Sequence, residues 1–384
     1  MEIVEGVDGR SPAGTVVPHG PTVRVLDDQG EAVAGVRVSF QVTSGGGKVT
    51  ERAVTTDARG RARGTWVLGR EDGAIQELRI SAGSLAETLE AEAVAAETRE
   101  SWPGRNGYVE YLPGTLPLVV TAPHGGDLEP VEISDRSWGT TVTDLNTREL
   151  ALVIRDVLHE ETGAYPHLVI CHLDRVKLDA NREIVEAAQG EWAAERAWWE
   201  YHVFADEAGA LVEEEFGRGL YLDIHGHGHD IQRVELGYLL SSSDLERSDQ
   251  ALSSSSMAEK SGIGALVESS GTSLATLIRG PLGLGTLLAE RGFPAVPSAS
   301  QPDPGGAPYF SGGYSTLRHG SREGGRISGI QLEHNYYGLR DDAGNRRRYA
   351  EALAEALAAY FPAHFTLELA PAGTGAPELP AAGG

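Results

Sequence analysis

Cysteine is nearly absent from this chain. Cys171 is the single one in 384 residues, so no internal disulfide can form and the fold must rest on burial and hydrogen bonding. Lysine and arginine are also scarce, 32 against 56 aspartates and glutamates, which leaves a net charge of −24. A grip on a phosphate backbone needs clustered cations, so nucleic acid is not expected as a partner. No run of about 18 apolar residues occurs, and no membrane insertion is expected. Met1 to Arg10 lacks the charged-then-apolar pattern of a signal segment. The glycines of Gly280 to Gly285 are followed by no Lys-Ser or Lys-Thr, and no Gly-x-Ser-x-Gly elbow exists, which disfavours a phosphate loop and a serine hydrolase. Cys171, inside Val169-Ile170-Cys171-His172, reads as a small buried apolar residue, not a nucleophile.

What is present suits folded domains. Hydrophobic residues make up 40% of the chain, and the length predicts two or three domains. From Val36 to Thr43 the pattern alternates, Val36, Val38, Phe40 and Val42 on one face and Arg37, Ser39, Gln41 and Thr43 on the other, the period of a half-buried strand. Similar runs occur at Thr22 to Leu26, Arg63 to Leu68, Glu77 to Ala82 and Thr88 to Val94, separated by turn clusters such as Asp57-Ala58-Arg59-Gly60. Short strands spaced by turns predict an all-β sandwich over residues 1–96. The stretch VRVLDDQGEAVAGVRVSFQVTSGGGKVT, followed by VTTDARGRARGTWVLG, resembles the bacterial immunoglobulin-like (Ig-like) domains of invasin-type surface proteins. That resemblance implies a spacer or adhesion module, cell-surface association, and an extracytoplasmic location whose signal segment is not in this chain.

Residues 97–107, with Pro103 and Gly104, read as a linker. Beyond it, continuous apolar runs at Leu116 to Ala122, Leu168 to Cys171, Leu220 to Ile224 and Ile327 to Leu332 predict sheet strands covered on both faces. Between the first two, Leu150, Val153, Ile154, Val157 and Leu158 recur with helical spacing and end at Gly163. A last helix is expected from about Arg347 to Tyr360 on Ala350, Leu353, Ala354 and Leu357. The pattern over residues 108–368 is that of an α/β domain. Ser241 to Gln301 reads as long, partly lid-like loops with one helix, and residues 369–384 as a disordered low-complexity tail.

Four predicted strands end in polar groups that are costly in a core without partners: His124, Arg175 with Asn181 and Arg182 just beyond, His225, and Glu333. Ligands of open α/β sheets bind outside the carboxyl ends of the strands, so these ends define a candidate site. In Ala122-Pro123-His124-Gly125-Gly126-Asp127-Leu128-Glu129, glycines let the chain fold back so that Asp127 or Glu129 could join His124 on one ion. Leu222-Asp223-Ile224-His225-Gly226-His227-Gly228-His229 runs a strand into three alternating histidines. Two histidines and one carboxylate hold zinc with a position open to water. Glu333 emerges from Gln331-Leu332-Glu333 where it can exchange a proton with that water, the alternative being an ion pair with Arg340 or Arg326. Arg175 and Arg182 supply a local positive patch in an acidic protein, or else pair internally with Asp174 or Asp179.

Taken in order, APHGG, LDRVKLDANRE, LDIHGH, GTLLAERGFPAVPS and GGYSTLRHGSREGGRISGIQLEHNYYGLRDD resemble the N-formylglutamate amidohydrolase family, from about Tyr108 to Tyr360. The resemblance implies a zinc carboxypeptidase-like fold with a mixed central sheet and hydrolysis of an amide bond in a carboxylate-bearing substrate, an N-acyl amino acid or a peptide C-terminus. It further implies that His124 and His225 bind zinc, Glu333 is general base and then acid, Arg175 steadies the oxyanion, and Asn181 with Arg182 holds the substrate carboxylate. The first motif departs from the related carboxypeptidases, which place their glutamate where Asp127 stands. Its spelling, His-Gly-Gly-x-Leu-Glu, is similar to phage poly-γ-glutamate hydrolases, which implies Glu129 as the third ligand and γ-glutamyl polymers as an alternative substrate. From another class, the alternative is a surface adhesion protein whose hydrolase-like domain is inactive.

Overall fold

The computed structural model describes residues 1–6, 10–17, 20–98 and 100–371. The predicted tail lies outside them from residue 372 onward. The chain divides into two compact units, one of Met1–Leu112 with Trp192–Glu207, the other of Pro113–Glu191 with Ala208–Gly384.

The first unit contains an all-β sandwich. Five strands lie in the order Arg10–Pro12, Leu85–Val94, Ile75–Ala82, Arg37–Ser44 and Ala53–Thr55, and three more, Glu2–Glu5, Thr22–Arg24 and Arg61–Arg63, form a second sheet. Alternation does what it predicts: Val38 and Phe40 are buried with Val23, Trp66, Leu78 and Ile80, while Val36 and Val42 flank that core. The described part of the stretch expected as a linker makes specific contacts. Trp102 is buried and donates its indole N–H to the Ala96 carbonyl at 2.5 Å, and Arg105 forks onto Glu5 with both contacts at 3.0 Å. Residues 192–207 belong to this unit because their side chains close on it. Val203 and Trp199 cover Val16 and Val67, and Arg70 meets Glu207 at 2.7 Å.

In the second unit six strands run in the order His167–Cys171, Leu118–Ala122, Gly219–Gly226, Ile327–His334, Val234–Gly237 and Ala295–Val296. The first four are mutually parallel and Val234–Gly237 is antiparallel to Ile327–His334, so the sheet is mixed. The four central strands are buried almost throughout, as their unbroken apolar runs require. The predicted first helix is Thr147–Thr162, stopped where Gly163 adopts φ 75° and returns its N–H to His159. The last helix begins earlier than its apolar spacing shows, at Ala343, because Asp342 caps it by accepting the Asn345 N–H.

Ser241–Gln301 departs most from expectation. It contains six short helices, from Ser242–Leu245 to Leu284–Glu290, none longer than seven residues and so none long enough to display a helical period. Serines that look like loop residues are caps: Ser241, Ser248 and Ser273 each accept a backbone N–H three residues on. Leu245, Leu252, Leu266, Leu274 and Leu284 are buried, so the segment is packed structure and not a lid.

Candidate metal centre

His124 follows the Leu118–Ala122 strand and His225 lies near the end of the Gly219–Gly226 strand, so parallel neighbours deliver both rings to one end of the sheet. Their centroids are 4.7 Å apart, edge to face. Each Nδ1 lies 3.4 Å from the same carboxylate oxygen, Oδ2 of Asp144. Each Nε2 is backed by a different buried acid, His124 by Asp179 at 2.7 Å and His225 by Asp223 at 2.8 Å. An imidazole whose outer nitrogen donates to a carboxylate presents the inner one as a lone pair, the arrangement around protein-bound zinc. Two nitrogens and one oxygen converging from buried side chains therefore fit a zinc-class ion.

The carboxylate brought to the rings is Asp144. Glu129, expected there from the motif spelling, is exposed and outside the group, and Asp127 is paired with Arg148 at 2.7 Å on the surface. Asp144 is held by the Gly226 N–H at 3.1 Å and by Arg175 Nη1 at 3.4 Å. Burial opposes its charge, but the two imidazoles outweigh this and hold it well below the usual carboxylate range. Burial likewise works against a charged His225, yet Asp223 and Asp144 hold it up at about 10, so without an ion the ring is a cation between two acids and a metal would take the place of its Nδ1 proton.

Glu333 is the register partner of His225 on the neighbouring strand. Its Oε1 accepts from Gln331 at 2.8 Å, while Oε2 is buried without a hydrogen-bond partner. Burial pushes this carboxyl up to about 8, and the negative charges of Asp144 and Glu235 add to the effect. The alternative, an ion pair with Arg340 or Arg326, is not what forms: Arg340 donates to the carbonyls of His334 and His227, and Arg326 lies 3.9 Å from Glu213.

Arg175 spans Asp179 at 2.9 Å and Asp144, so its internal pairing and its place in the cleft coexist. Asn181 is committed to the protein. Its amide nitrogen lies 3.3 Å from His225 Nε2, and its oxygen accepts the Ser315 N–H at 2.7 Å. Arg182 donates to the Asn181 carbonyl at 2.8 Å, with its side chain one-third exposed. His124, Asp144, Arg175, Asn181, Arg182, His225 and Glu333 line one cavity of about 440 Å³, and Glu129 does not. The larger cavity of about 760 Å³, around Glu213, Arg218, Glu268 and Arg326, gathers no histidine.

Asp144, Asp179 and Asp223 are the functional candidates that motif reading passed over. Asp223 was legible, being two residues before His225 and hence on the same side of the strand. Asp144 lies in an irregular stretch ahead of a helix and carries no periodic signal.

No family model matches the chain, and no curated relative matches it. Among solved structures it is similar to the D0–D1 domain of intimin, at 18% identity and a TM-score of 0.22 over 33% of this chain and 58% of that one. It is also similar to invasin, a bacterial integrin-binding protein (17%, 0.21, over 31% and 23%), and to the Yersinia pseudotuberculosis adhesin InvE (14%, 0.22, over 30% and 40%). The chain thus spans less than two thirds of each neighbour, and superpositions this loose specify neither partner nor activity. No helix among the described residues is long and apolar enough to cross a membrane.

Proposed function

We propose that the second unit is a zinc-dependent hydrolase of an amide bond in a carboxylate-bearing substrate, and that the β-sandwich unit is an extracytoplasmic spacer or adhesion module. The observation that supports the enzyme most is Asp144 Oδ2 at 3.4 Å from both imidazoles, each ring oriented by its own aspartate. His124, His225 and Asp144 would hold the ion, which supplies Lewis acidity toward a carbonyl and acidifies water.

The rest falls to the chain's own groups. Glu333 takes the proton of the attacking water on its partnerless Oε2 and passes it to the departing nitrogen as the C–N bond breaks. Arg175, at the edge of the ligand cage, offsets charge developing on the carbonyl oxygen. Arg182, steadied by its bond to the Asn181 carbonyl, meets the substrate carboxylate, and Asn181 acts as a positioning residue between His225 and Arg182.

The deciding experiment assays N-acyl amino acids, γ-glutamyl peptides and ordinary peptides with the full chain, alongside Glu333→Gln. We expect the variant to retain zinc by elemental analysis and to lose about 10²- to 10⁴-fold in turnover. Wild-type protein that binds zinc and turns over nothing in the panel would leave the binding-protein reading in its place.

A further inference from the structure

The histidine run does not end at His225. His227 and His229 continue past the strand end, and with Glu235 they form a second convergence of donors, one atom from each lying within 4.8 Å of the others. His229 Nδ1 is 3.0 Å from Glu235 Oε1. The ring of His227 is fixed by its Nε2–H, which donates to the Arg233 carbonyl at 2.8 Å, so its Nδ1 carries the lone pair and now accepts the His229 backbone N–H at 3.1 Å. Glu235 is fully buried, with its other oxygen taking the Phe310 N–H at 2.9 Å and Arg233 lying 3.6 Å from Oε1. Phe310 stacks on His229, centroids 4.7 Å apart.

Strand register places this group. His225, Glu333 and Glu235 are successive register partners across three adjacent strands, so Glu333 stands between the two clusters. His227 and His229 line the same 440 Å³ cavity as His124 and Asp144.

We propose that His227, His229 and Glu235 form a second divalent-metal site of zinc class, on the opposite side of Glu333 from the first. Its donor set, two imidazoles and a carboxylate, is that of the first site, and one imidazole is oriented through its outer nitrogen in the same manner. The backing differs. A backbone carbonyl orients His227, where aspartates orient both rings of the first site, and among the described residues the His229 ring has its hydrogen bond at Nδ1, to Glu235, with none at Nε2. The second site is therefore the weaker, by about ten- to a hundredfold in dissociation constant. This inference goes beyond the hydrolase reading and does not require turnover.

The test is titration of the chelator-treated full chain with Zn²⁺, reading bound metal by equilibrium dialysis and elemental analysis, and with Co²⁺, reading its visible absorption. Two ions are expected in the wild type, the weaker lost in His229→Ala and the tighter lost in His225→Ala. His229 is partly exposed, so its replacement leaves the core intact, and circular dichroism checks this. Two ions retained in His229→Ala would overturn the second site. A single wild-type ion that disappears in His225→Ala would overturn it too and leave the catalytic centre standing. A single ion that disappears only in His229→Ala would support this site and remove the first.

Discussion

At the scale of single residues, the central outcome is the exchange of Glu129 for Asp144. Both are acids near a histidine motif, but one is exposed while the other touches two rings. On the proposed zinc reading, Asp144→Asn should lose tight zinc binding and Glu129→Gln should keep it, as read by metal content after dialysis. The reverse result would restore the glutamate spelling as the guide. That His124, His225, Glu333 and Arg175 gather at one end of the sheet was legible because the first three stand at or just past the ends of strands that apolar runs announce, and Arg175 lies in the turn after another. Asp144 was not, because its contact with them depends on the return path of a loop.

Elements follow the same division. Long helices and strands declare themselves by period, and Leu150, Ile154, Val157 and Leu158 face inward as expected. Short helices depend on caps, as the serine-rich Ser241–Gln301 segment shows. The cap at Asp342 is exposed and accepts the Asn345 N–H at 2.8 Å. Asp342→Ala should therefore destabilise the second unit by about 1 kcal/mol, seen as a lower denaturant midpoint without change of slope. A shift indistinguishable from zero would mean that packing alone sets the helix start.

For the whole molecule, two consequences follow from burial. His167 is fully buried, and desolvation lowers its pKa to about 4. The unfolded chain, near 6.5, binds the proton first, so stability is intact above about 6.5 and falls as the pH drops toward 4. Between pH 7 and 5 this group accounts for about 2 kcal/mol, and His167→Gln should flatten the pH dependence of unfolding by that amount. An unchanged slope would mean that the folded histidine takes its proton normally. The second consequence concerns the first unit, which is not one continuous piece of chain. A fragment of residues 1–96 leaves Val16 and Val67 without Val203 and Trp199, so its thermal transition should lie below that of the same unit in the full chain. Equal transitions in calorimetry would show those contacts to be dispensable.

The order of residues along the chain settled which stretches alternate, which run apolar, and which polar groups terminate strands, because period and burial are local properties. It also determined that a sandwich precedes an α/β region. Only the folded chain decided that Asp144 meets both imidazoles, that Asp179 and Asp223 orient them, and that residues 192–207 join the first unit. Those facts depend on where loops and a long helix bring atoms far apart in sequence, and no local pattern encodes such a distance.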